Sequence, residues 1–207
     1  MEEESMILTP LEIIGILASA YFTVNFVLYL RSGDLSKDFW SLRVLRNGKW
    51  IIALLGTWFV LAVVVVVILL LYRTGIPLLR FSWLMLLATP AEAPSAGQNL
   101  VLSGVKIPGF MWIFLVLLAL NVPRLAKNEE RIFRQGVRDP KTAIWKSVQF
   151  GLVHCLIGVP LAAGIALIIP GLFWSWLYTK GGIRLTTAWH ALHNWTLVAI
   201  LALALAL

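Results

Sequence analysis

Residues 50–72 read WIIALLGTWFVLAVVVVVILLLY, a run without a single charged side chain, and its Val63 to Leu71 core has no polar residue at all. A helix gains 1.5 Å per residue, so such a run reaches about 34 Å, against a hydrocarbon core of about 30 Å. A barrel strand would alternate apolar and polar positions. This run does not, and it reads as a membrane-spanning helix.

Working outward, similar runs cover Leu11 to Leu30, Ile107 to Pro123 and Leu185 to Leu207. Ala143 to Tyr178 is too long for one crossing. Pro160, Gly164 and Pro170 suggest two helices there, with a turn near Pro160 to Gly164. Leu78 to Ala88 is short, carries Arg80 and precedes Pro90, Pro94 and Gly97, so it reads as interfacial or re-entrant. The expected fold is all-α, a polytopic integral membrane helix bundle of about six spans plus one or two short interfacial or re-entrant helices. Residues 1–123 read as structural membrane helices, and 124–207 as the part that carries chemistry.

Composition agrees. The chain is 60% hydrophobic and 13% charged, with a mean hydropathy of +0.87, whereas soluble domains carry about 25% charged residues. A net charge of +7 would suggest nucleic acid in a soluble protein. Here the basic residues lie between apolar runs, so they read as topology signals and lipid headgroup contacts, with no nucleic acid partner. The single Cys155 rules out an internal disulfide framework or a Cys-rich metal site. Met1 to Ser5 is acidic, unlike the basic start of a secretory leader, so the first run is expected to remain as a span.

Basic residues cluster at Arg31 to Lys49, at Arg124 to Lys146, and at Lys180 and Arg184. With six spans these segments share one side. The positive-inside rule then puts them in the cytoplasm, with a plasma-membrane location and a cytoplasm-facing site.

Three polar pairs recur at helical spacing in the second half: Glu130 with Arg134, Phe150 with His154, and His190 with Asn194. Each pair is four positions apart and so shares a helix face. Glu129 is turned about 100° from Glu130. Singly, each has a bland alternative: a solvated charge run, a core histidine, or interhelical hydrogen bonding. Together, near one membrane face, they would gather a carboxylate, two imidazoles and an amide in a low-dielectric pocket. Such a set suits water-mediated peptide hydrolysis, with a base to take the water's proton and donors to hold the oxyanion.

The motifs EERIFR at 129–134, FGLVH at 150–154 and HALHN at 190–194 occur in this order. They resemble the CPBP family, which includes the CAAX prenyl endopeptidases and the abortive-infection and bacteriocin-processing proteins. The resemblance covers roughly 124–207 and implies an intramembrane glutamic endopeptidase acting on a membrane-associated peptide or protein. It implies that Glu129 is the general base, oriented with His154. Glu130 and Arg134 would be the supporting pair, His190 and Asn194 the oxyanion hole, and Phe150 part of the wall. His193 matches no functional position. Many members have Gly directly after Arg134, where this chain has Gln135 and then Gly136, so the helix is expected to bend one residue later.

No cofactor is expected. A zinc-dependent alternative would use Glu129, His154 and His190, three ligands plus water, but His-Glu-x-x-His is absent. Two further alternatives are a non-catalytic immunity or scaffold membrane protein, and a proton-coupled transporter. No inverted repeat supports the last.

Overall fold

The computed structural model describes residues 9–86 and 109–207. Met1 to Ser5, the Pro90, Pro94 and Gly97 signals, Lys106 and Ile107 lie outside them. Among the described residues all regular structure is helical. Helix α1 is Pro10–Arg31, α2 Asp34–Ser41 and α3 Lys49–Arg73, followed by the single turn α4 at Pro77–Arg80. Then come α5 at Phe110–Phe133, α6 at Pro140–Leu156, the short α7 at Leu161–Ala166 and α8 at Ile168–Ala206. Among the described residues, four stretches are long and apolar enough to cross a membrane: α1, α3, α5 and Leu161–Ala206. Their outward faces stay apolar, with Leu55 65% and Phe59 70% exposed, as a lipid-facing surface requires.

Helix α8 is not one rod. Gly182 inside it takes φ 64°, ψ −166°, a conformation essentially restricted to glycine. In a straight helix Trp174 and His190 would stand about 24 Å apart, yet their rings stack at 3.9 Å. Phe173 likewise meets Trp189 at 5.5 Å. The chain therefore folds back at Gly182, within the loop expected between Tyr178 and Leu185.

The third apolar run does not stop at Pro123. Helix α5 continues through it to Phe133 and carries both glutamates, so the proposed boundary at 123/124 falls inside one helix. Proline has no N–H for the carbonyl four residues earlier. That carbonyl, of Ala119, accepts a hydrogen bond from Trp195 Nε1 at 2.9 Å instead. Nearby, Asn121 donates to Phe22 O at 3.1 Å and Arg124 to Asn25 O at 2.9 Å, fastening α1 to the same helix. Beyond Phe133 the chain turns at Gly136, φ 85°, and Asp139 caps α6 through Thr142 N at 2.9 Å. The expected bend is thus a helix end.

Helices α6, α7 and α8 meet through small residues. A Cβ on Gly151 would collide with the carbonyl of Gly164, and one on Gly171 would lie 2.9 Å from Ser147 Cβ. Small residues allow backbones to approach, as in membrane helix packing generally. The turn between α6 and α7 falls at Ile157 to Pro160, earlier than expected, and Gly164 sits inside α7. The segment after α4 docks on that turn. Ser82 Oγ donates to Gly158 O at 2.7 Å and Trp83 Nε1 to Leu156 O at 3.1 Å. The described part of Leu78 to Ala88 is therefore two short turns laid on the bundle.

Candidate active site

Helix α5 delivers the acidic residues from its last turn, and the returning arm of α8 delivers His190. Glu130 and Arg134 are fully buried. His190 Nδ1 lies 2.8 Å from Glu130 Oε1. A carboxylate only accepts, so Nδ1 carries the proton. The other ring nitrogen, Nε2, lies 3.5 Å from Glu129 Oε2. One imidazole is thus flanked by two adjacent carboxylates, one on each nitrogen. Glu129 and Glu130 reach it from neighbouring positions because successive helical side chains diverge by about 100°.

Behind Glu130, Arg134 Nε stands 3.8 Å from Oε2 and its guanidinium lies 4.8 Å from the Phe150 ring centroid. Glu129 Oε2, Glu130 Oε2 and Arg134 Nε and Nη2 are buried without a formed hydrogen bond. Paired charges removed from water hold together only through mutual attraction. The cluster thus gathers ionisable side chains out of water at the junction of α5 and α8.

Phe150 is the hub of the aromatic wall. It meets Phe133 and Trp174 edge-on at 5.5 Å each, His190 at 5.9 Å and His154 at 4.7 Å. His154 Nδ1 is 2.7 Å from the Phe150 carbonyl. It therefore donates there and leaves Nε2 as its remaining ring nitrogen. His154 makes no ion pair with Glu129: the structure seats His190 beside Glu129 instead. Asn194 follows His190 by one turn, is half-buried, and makes no hydrogen bond among the described residues.

Two residues were not singled out from sequence. Trp174 stacks almost flat on His190, 18° from parallel, and meets His193 edge-on at 5.2 Å. An aromatic in an apolar run gives no signal of this kind. Asp38, also buried, accepts from Lys127 Nζ at 2.6 Å and from Tyr29 Oη at 3.0 Å, bracing the helix two residues before Glu129.

Among the described residues there is no group of three or more His, Cys, Asp or Glu placed to hold a metal ion. Glu129, His154 and His190 do not form such a group. Comparison with protein-family models, with curated proteins and with solved structures returns no match.

Proposed function

We propose that this chain is an intramembrane endopeptidase of the glutamic type, as the resemblance of its three motifs to the CPBP family implies. The observation that carries the reading is the Glu129–His190–Glu130 arrangement. A buried carboxylate oxygen with no formed hydrogen bond sits against an imidazole whose orientation a second carboxylate fixes. Ionisable groups held inside a membrane bundle are costly and mark function by default.

In the proposed reaction Glu129 takes a proton from water as its oxygen attacks the scissile carbonyl. The amide of Asn194 donates to the resulting oxyanion. Collapse of the tetrahedral intermediate breaks the C–N bond, and the proton on Glu129 passes to the departing amine. His190 acts as the partner of Glu129, held by Glu130. His154, Arg134 and Phe150 shape and orient the pocket. The substrate is a peptide or protein associated with the membrane, and bilayer lipids are the other partners.

The finer topology belongs to the same proposal. With α6 as one crossing and the stretch 161–206 folded at Gly182 into two, the crossings number six. The basic segments then share one face, which positive-inside assigns to the cytoplasm of a plasma-membrane protein.

A second reading has its own support: burial of Glu130, Arg134 and His190 also suits a structural lock in a non-catalytic scaffold protein. Glu129→Gln distinguishes the two. Cells producing wild-type protein or this variant at matched levels are compared for newly formed peptide termini in membrane proteins. New termini with the wild type alone support the peptidase. Equal termini from a folded Glu129→Gln protein refute it.

A further inference from the structure

At the opposite end of α3 from Lys49, Val66, Leu69, Leu70, Tyr72, Arg73 and Arg80 line an open cleft of about 460 Å³. It is remote from the glutamates in sequence and shares no residue with their cluster. We propose that this cleft is a binding site for an anionic phospholipid, with the two guanidiniums on the phosphate and the acyl chains along α3.

The chain is built to hold this shape. Gly75, at φ 71°, and Pro77 at the start of α4 turn the backbone so that Arg80 returns toward the helix it has left. Arg80 Nη2 donates to the Tyr72 carbonyl at 3.3 Å, and its guanidinium lies 5.4 Å from the Tyr72 ring centroid. That fixes one cation of the cleft, and the second, Arg73, comes from the last turn of α3. Among the described residues, no acidic side chain lines the cleft. Two guanidiniums lining one cleft make it attractive to an anion, and phosphate matches their forked donors.

The apolar wall selects the source of that phosphate. Val66 is 53% exposed, Leu69 56% and Leu70 55%, and they continue the outward apolar face of a membrane-length helix. A soluble anion has no use for that surface, whereas a diacyl lipid covers it. Tyr72 stands between the two chemistries, where aromatic residues mark the headgroup level.

The test uses the purified full-length chain in detergent, titrated separately with phosphatidylglycerol, phosphatidylcholine and inorganic phosphate, and bound species are counted by native mass spectrometry. Arg73→Gln/Arg80→Gln is expected to weaken one phosphatidylglycerol site by about a hundredfold, the loss of roughly two charge-assisted contacts. Arg73→Lys/Arg80→Lys is expected to keep most of it. Leu69→Trp, which fills the furrow and spares both cations, is expected to weaken the lipid as well. Unchanged phosphatidylglycerol binding by the glutamine pair overturns the proposal. So does equal binding of phosphatidylcholine, or full displacement of the lipid by millimolar phosphate.

Discussion

The indole of Trp174 lies face to face with the imidazole of His190, 3.9 Å between ring centroids, although the two belong to opposite arms of one folded-back helix. The contact fixes the plane of the imidazole while Glu130 fixes its rotation, so His190 has no freedom left to turn away from Glu129. Trp174→Ala is expected to lower stability by about 3–5 kcal/mol, the usual cost of emptying a buried aromatic site. Trp174→Phe keeps a stacking face and should lose much less. Thermal unfolding of both variants in detergent checks this, and equal melting temperatures would count against the role.

Glu130 and Arg134 are buried together, so removing either one strands the other. Glu130→Gln is expected to cost about 3–5 kcal/mol. The double variant Glu130→Gln/Arg134→Gln should recover part of that loss, because no uncompensated charge remains. A double-mutant cycle on unfolding free energies reads the coupling directly, and additive losses would show that the pair acts independently.

Pro123 and Trp195 should also be coupled. Trp195→Phe leaves the half-buried Ala119 carbonyl without a partner, at about 1 kcal/mol. Pro123→Ala restores the backbone N–H that this carbonyl would otherwise receive. The tryptophan substitution should therefore cost less in the Pro123→Ala background than in the wild type. The same loss in both backgrounds would refute the assignment.

Asp139 gives a pH dependence outside the membrane-spanning segments. Hydrogen bonds from the Thr142 hydroxyl, then from its backbone N–H, hold the carboxyl below its usual range. The cap's contribution is complete above the unfolded value of about 3.9 and is lost as pH falls through the lowered folded value. Asp139→Asn keeps a cap but cannot ionise. Melting temperatures of wild type and variant should differ at neutral pH and converge in acid, and parallel curves would sink the idea.

The helical character of the chain was plain from runs such as Val63 to Leu71, because lipid leaves the backbone no other partner than itself. The pairs Glu130 with Arg134, Phe150 with His154, and His190 with Asn194 stood out as candidates because four-residue spacing places each pair on one helix face, and Glu129 stood out as the neighbour of Glu130. Which histidine meets which glutamate was not legible. That depends on how α5, α6 and α8 cross, and the close approach of α6 to α7 and α8 runs through Gly151, Gly164 and Gly171, whose spacing carries no label of its partner. Pro123 read as a helix end because an unsatisfied carbonyl normally ends one. The donor that rescues it comes from Trp195, far along the chain. Trp174 looked like any aromatic in an apolar run, and only the reversal at Gly182 sets it over His190.

The hairpin at Gly182 has a bearing on the order in which the chain is made. The carboxylates of α5 leave the ribosome 60 residues ahead of His190, and the indole that clamps the ring comes between them. A nascent chain therefore inserts its acidic partners first and lacks the imidazole that bridges them until the closing arm docks. Assembly of the cluster therefore waits until the arm after Gly182 has been made, and a chain stopped short of that arm carries the carboxylates without their shared partner.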